Sequence, residues 1–180
     1  MEIKINRVDI LKPLFEDPNK RFYLRELSRI LKVNHVTVGQ QLKQFEKEGI
    51  VNSEKNKITK TYQIVVSRKS RNLKLFFNLE KLRISGLVDD LFKEYDAPTI
   101  VLFGSYAKAT DSIDSDIDMC LLSDIKKEFN LEKYEKVLGR KISIHQFGKK
   151  EWENAIKNNP NLVNGICNGI VLTGELEVLK

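Results

Sequence analysis

Cysteine is nearly absent from this chain: 180 residues hold two, Cys120 and Cys167. Two thiols so far apart make neither a disulfide framework nor a metal knuckle, and read as buried thiols of a reducing compartment. Long apolar runs are missing too. No stretch approaches the roughly 20 residues that a bilayer span requires, and Met1-Glu2-Ile3-Lys4 opens no apolar signal region. A cytoplasmic chain without a membrane partner is therefore expected. No internal repeat or low-complexity tract is present. His35 has no cysteine or second histidine near it, so it is not expected to ligate a metal.

What is present suits a globular chain of one or two domains: 41% of residues are hydrophobic and 31% charged, enough for a core and a well-solvated surface. The net charge of +6 is unevenly placed. Residues 1–95 hold 20 Lys/Arg against 12 Asp/Glu, a balance of +8, and residues 96–180 hold 11 against 13, a balance of −2. A composition bias toward lysine would raise both halves alike. A basic front half points instead to a nucleic-acid-binding module joined to something else.

The rear half is organised around Val101-Leu102-Phe103-Gly104-Ser105-Tyr106-Ala107-Lys108 and Asp114-Ser115-Asp116-Ile117-Asp118-Met119-Cys120-Leu121-Leu122. This reads as a buried strand, a Gly-Ser turn, a loop or short helix, and a second strand from Asp116 to Leu122. Residues two apart on a strand share a face, so Asp116 and Asp118 are expected side by side with Ile117 turned to the core. Paired carboxylates repel unless a cation holds them. A hard divalent ion accepts one or two carboxylates plus substrate phosphates, and the Gly-Ser turn offers N–H groups and a hydroxyl to an anion. The stretch reads as a metal–nucleotide site. The alternative is an acidic surface loop, which the sharp change to apolar strand residues on both sides opposes.

Gly104-Ser105, ten intervening residues and Asp116-x-Asp118 resemble the signature of the DNA polymerase β-like nucleotidyltransferase superfamily, above all its minimal archaeal and bacterial members. The resemblance covers about residues 97–147 closely and the rest to 180 loosely. It implies that Gly104, Ser105, Lys108 and Ser115 contact the nucleoside triphosphate and that Asp116 and Asp118 are catalytic and hold Mg2+ (or Mn2+). It further implies transfer of a nucleoside monophosphate to a hydroxyl. Active members carry a third carboxylate on a later strand. Here that strand is Lys141 to Phe147, and Ser143 stands in the place, with His145 two residues on. Serine cannot ionise and is a poor base. His145 reads either as an ordinary strand residue or, if it faces the cleft, as a ligand or base.

In the front half, Val8, Leu11, Leu14 and Phe15 set a helix over residues 6–16, closed by Asp17-Pro18-Asn19. Leu24, Leu27 and Leu31 mark a second helix, and Asn34 is placed to cap a third from His35 to Glu48, with Gly49 as its stop. Val38, Leu42 and Phe45 form its core face. Ile50 to Val65 then alternates about a polar Lys55-Asn56-Lys57 turn, as a hairpin does. The order resembles a winged-helix regulator over residues 5–66. It implies base reading in a DNA major groove by Asn34, His35, Gln40 and Gln44, and phosphate contact by Lys43, Lys47, Lys55, Lys57 and Lys60.

Between the halves, residues 70–95 follow a 3.6 period, with Gly86 placed to bend or split the helix. Leu73 to Phe77 is expected in a homodimer contact and Leu87 to Tyr95 against the sheet. The expected fold is α+β: a winged helix-turn-helix over 1–66, a long linker helix over 67–96, and a nucleotidyltransferase-like domain over 97–180 with a small mixed sheet flanked by helices.

Three functions follow as expectations. The first is a double-stranded-DNA-binding protein that binds nucleoside triphosphate with Mg2+ and transfers the nucleotide. The second is a transcriptional regulator whose rear domain is a degenerate sensor or dimerisation platform. The third is an antitoxin-like partner of a HEPN-type protein, as minimal nucleotidyltransferases often are.

Overall fold

Pro13 and Gly86 decide where two of the helices start and stop. In the computed structural model, which describes residues 7–56 and 58–177, the expected first helix is two pieces: a 3-10 turn, Arg7–Leu11, and helix α1, Lys12–Glu16. Pro13 lies in the first turn of α1, where its missing N–H costs nothing and its fixed φ starts a helix. The chain divides into two compact units, one ending at Lys74 and one beginning at Leu75.

In the first unit, strand β1 (Phe22–Tyr23) leads into α2 (Leu24–Leu31) and α3 (His35–Lys47), followed by β2 (Val51–Lys55) and β3 (Lys60–Ile64). Lys32 takes a left-handed conformation at the end of α2, and the Asn34 side chain accepts a 2.8 Å hydrogen bond from the Val36 N–H to start α3. Losing this cap is expected to cost about 1 kcal/mol. Asn34→Ala should therefore lower the midpoint of thermal unfolding by a few degrees, measured by circular dichroism. Gly49, at φ 69°, lets the chain leave α3 for the sheet. Phe22-Tyr23 pairs with Tyr62-Thr61, so the sheet order is β1-β3-β2. Leu14, Leu27, Val38, Leu42 and Phe45 fill the core between helices and sheet.

Helix α4 (Arg68–Ser85) begins in the first unit and ends in the second, and α5 (Leu87–Glu94) follows. Gly86, at φ 73°, separates the two helices, so the linker is split and not merely bent.

In the second unit the sheet order is β6-β5-β4-β7, made of β4 (Thr99–Phe103), β5 (Ile117–Leu122), β6 (Ile142–Phe147) and β7 (Ile170–Thr173). β5 and β6 run parallel through helix α7 (Glu132–Leu138), and the other pairs are antiparallel. Parallel neighbours need such a crossover. Alternate residues divide between two cores. Leu102, Ile117, Met119 and Leu121 pack with Leu82, Leu87 and Leu91 of α4 and α5 and with Tyr95 just after α5. Val101, Phe103 and Cys120 pack with Trp152 of α8 (Lys149–Asn158) and with Val163 and Ile166 of α9 (Pro160–Cys167). A four-residue helix, α6 (Gly104–Ala107), follows β4 directly. Among the described residues no helix is long and apolar enough to cross a membrane.

Candidate functional site

The end of β4 and the start of β5 meet at Gly104. Phe103 pairs with Asp118 across the strands, so the turn after Phe103 lies beside that carboxylate. Gly104 holds φ at 72°, and a Cβ there would overlap Asp118 Oδ2. Only glycine lets turn and acid approach so closely. β5 starts at Ile117, so Asp116 is the residue just before the strand. The charges still interact. Burial first, and the Asp116 charge to a lesser degree, push the Asp118 carboxyl above its ordinary range, while the nearby His145 opposes the shift.

Ser143 lies directly opposite Asp118 in the parallel β5–β6 register. The position expected to carry a third carboxylate thus holds a hydroxyl. His145 is on the same face. Its Nε2 is 3.4 Å from Ser143 Oγ, and its ring meets Phe103 edge-on at 5.4 Å. The imidazole faces the side of the sheet that carries Asp118.

No group of three His, Cys, Asp or Glu side chains converges as a metal cage among the described residues. Two carboxylates beside a turn still suit Mg2+, which usually completes its shell with water and substrate phosphates. The raised Asp118 carboxyl fits that role, because a cation would offset the burial of its charge and, to a lesser degree, the repulsion from Asp116. A carboxyl with a raised folded pKa favours the folded state when protonated. That contribution is full below its ordinary value and is lost as pH climbs through the raised one. A bound cation acts in the opposite sense. The stabilisation by Mg2+ should accordingly shrink as pH falls toward the ordinary carboxylate range, a trend that scanning calorimetry would measure.

The other expected nucleotide contacts are less uniform. Ser105 is half-buried on α6 and Lys108 is exposed at its end. Ser115 is already engaged: its hydroxyl accepts from the Ser112 N–H at 2.9 Å, and its carbonyl accepts from Arg140 Nη1 at 3.1 Å. These bonds shape the loop, and the hydroxyl keeps its own proton to donate.

That loop is held by residues the sequence did not single out. Arg140 Nη2 lies 3.1 Å from Asp111 Oδ2, with both side chains almost fully buried. Asn78 of α4 donates to Asp111 Oδ1 at 3.0 Å and to the Tyr106 carbonyl at 3.1 Å. Arg140 also donates to the Ser112 carbonyl and stacks over the Tyr106 ring. The network fixes both the turn after β4 and the loop leading to Asp116. Spacing alone could not reveal it, since 33 residues separate Asn78 from Asp111.

In the first unit, His35, Gln40, Lys43, Gln44 and Lys47 are all exposed on α3, and Lys55 is exposed at the end of β2. Asn34 is exposed too, with its carbonyl oxygen occupied by the cap. Lys60 is half-buried and pairs with Glu46 at 3.0 Å, so the structure turns it back onto α3. Lys57 lies outside the described residues. Arg25 and Arg29 of α2 were not singled out from sequence, yet they line one groove of about 460 Å³ with Asn34 and His35. Their i, i+4 spacing on a helix was the available signal.

The family model described as "Polymerase beta, Nucleotidyltransferase" matches residues 88–171, and the one described as "Bacterial regulatory protein, arsR family" matches residues 5–53. No curated protein matches the chain. Two solved structures are similar. One is an Archaeoglobus fulgidus protein at 16% identity, covering 45% of this chain and 90% of its own, with a TM-score of 0.39. The other is titled a possible transcriptional regulator from Methanosarcina mazei, at 19% identity, covering 51% and 78%, with a TM-score of 0.34. The chain therefore joins a helix-turn-helix of the arsR regulator type to a nucleotidyltransferase domain of the polymerase β type.

Proposed function

We propose that the chain is a DNA-binding regulator whose rear domain binds a nucleoside triphosphate together with a divalent metal ion. The observation that carries this reading is the seating of Asp118 against the Gly104 turn, where no side chain could intervene. N–H groups of the turn would face the phosphates. Asp116 and Asp118 would hold Mg2+ or Mn2+, which when bound neutralises charge on the phosphates. Calorimetry with ATP and Mg2+ tests the site. Asp116→Asn should lower the affinity at least about tenfold, as loss of one of two charged ligands implies. An unchanged affinity would reject the assignment.

On the first unit, the proposal places the exposed face of α3 in a major groove, with Gln40 and Gln44 toward base edges and Lys43, Lys47 and Lys55 toward phosphates. Gel-shift titrations over a salt series test it. Lys43→Ala should weaken binding to all duplexes and flatten the salt slope by about one unit. A homodimer belongs to the same reading. Phe76 is 55% and Ile84 66% exposed on α4, and a second copy would cover them. Light scattering of Phe76→Asp would detect its loss.

A second reading, nucleotide transfer, draws support from the orientation of His145. With Ser143 in place of a carboxylate, His145 would take the proton of an acceptor hydroxyl while that oxygen attacks the α-phosphorus and pyrophosphate leaves. A HEPN-type protein is an acceptor or partner under this reading. Incubation with α-labelled ATP, Mg2+ and candidate acceptors separates the two. Measurable ATP binding with no transferred label supports the regulator alone.

A further inference from the structure

A second pocket opens at the far end of the same sheet. Asp118 lies at the start of β5 and Leu122 at its end, roughly 13 Å apart at the usual rise of a strand. The pocket begins at Leu122 and has a volume of about 570 Å³, within the range of small-molecule sites. Leu122, Phe147, Trp152 and Ile156 make its apolar wall. The Phe147 and Trp152 rings meet edge-on at 5.6 Å within that wall.

The rim is mostly acidic. Asp124, Glu153, Glu175 and Glu177 line it against Lys149 and Lys157. Glu175 and Glu177 are anchored through their backbone carbonyls. Thr99 Oγ1 donates to the Glu175 carbonyl at 2.8 Å, and Trp152 Nε1 donates to the Glu177 carbonyl at 3.1 Å. The segment after β7 is thereby tied along the pocket's edge. Asp124 is partly committed, since its Oδ1 accepts from the Lys149 N–H at 2.9 Å. An aromatic wall beneath a surplus of carboxylates is the arrangement that receives a flat organic cation, through the ring faces and the acidic rim together. We infer that this pocket is a binding site for a small aromatic cation, separate from the nucleotide site.

Trp152 is the only tryptophan of the chain, so its fluorescence reports on this pocket. The experiment titrates the full chain with N-methylquinolinium and, at pH 8, with uncharged quinoline, and repeats both by calorimetry. The cation should give a saturable quench and heat, with about tenfold higher affinity than quinoline. Glu175→Gln/Glu177→Gln should remove that preference and leave quinoline binding unchanged. Both side chains are exposed, and an unaltered near-ultraviolet dichroism spectrum would verify the fold of the variant. ATP with Mg2+ should not compete, which keeps the result independent of the nucleotide reading. Equal affinity for the two ligands, no saturable binding of the cation at millimolar concentration, a preference retained in the variant, or competition by ATP would each overturn the inference.

Discussion

Asp111→Ala is expected to cost about 3–5 kcal/mol of stability, because removing one partner of a buried ion pair leaves an uncompensated charge. The Asp111 side chain is 0% and that of Arg140 5% exposed. The guanidinium would be left among carbonyls and the Tyr106 ring, and Asn78 would lose an acceptor. Urea unfolding followed by dichroism measures the loss. Asp111→Leu/Arg140→Met removes both charges and should recover much of it, since apolar groups of similar volume often replace a buried pair at little cost. A loss below 1 kcal/mol in the single variant would mean that water reaches the pair. A double variant as weak as the single one would instead show that the loop needs the hydrogen bonds and not only neutrality.

Gly104→Ala should abolish nucleotide binding at accessible concentrations, with a loss of about a hundredfold or more. Two effects add. A left-handed backbone costs a residue with a Cβ about 1–2 kcal/mol, and here the Cβ would also displace the Asp118 carboxylate. Gly139→Ala separates them. Gly139 holds nearly the same conformation, at φ 69°, with nothing within 4 Å of a built Cβ. It should lose stability comparably and keep its affinity for ATP with Mg2+. If both variants bind alike, the closeness of turn and carboxylate has no bearing on the ligand.

The strands and the helix-turn-helix were legible because local chemistry dictates them. Asn34 caps α3, Gly49 ends it, and Val38, Leu42 and Phe45 fall on one face whatever surrounds them. The turn at Gly104 and the acidic pair were legible from their spacing between apolar strands. The tether of the loop before Asp116 was not: Arg140 Nη1 donates to the Ser115 carbonyl from a distant segment. Nor could the role of Asp111 be read. It resembled the other acids of a polar loop, and only the approach of Asn78 and Arg140 from distant segments makes it a core residue. The pairing of Lys60 could not be read for a similar reason, since Glu46 becomes its neighbour only once the hairpin folds back on α3. Patterns within about ten residues could be read from the chain, and tertiary pairing of charged groups could not.

Helix α4 sets a practical boundary for dissecting the molecule. The polymerase β match begins at residue 88, yet Leu82 belongs to the apolar core of that domain and Asn78 to its buried hydrogen bonds. A fragment trimmed to the match would expose that core and strip Asp111 of a donor. One trimmed at residue 75 would place Asn78 in the frayed opening turn of a helix. Expression of the rear domain by itself should therefore need the whole of α4, from Arg68 onward.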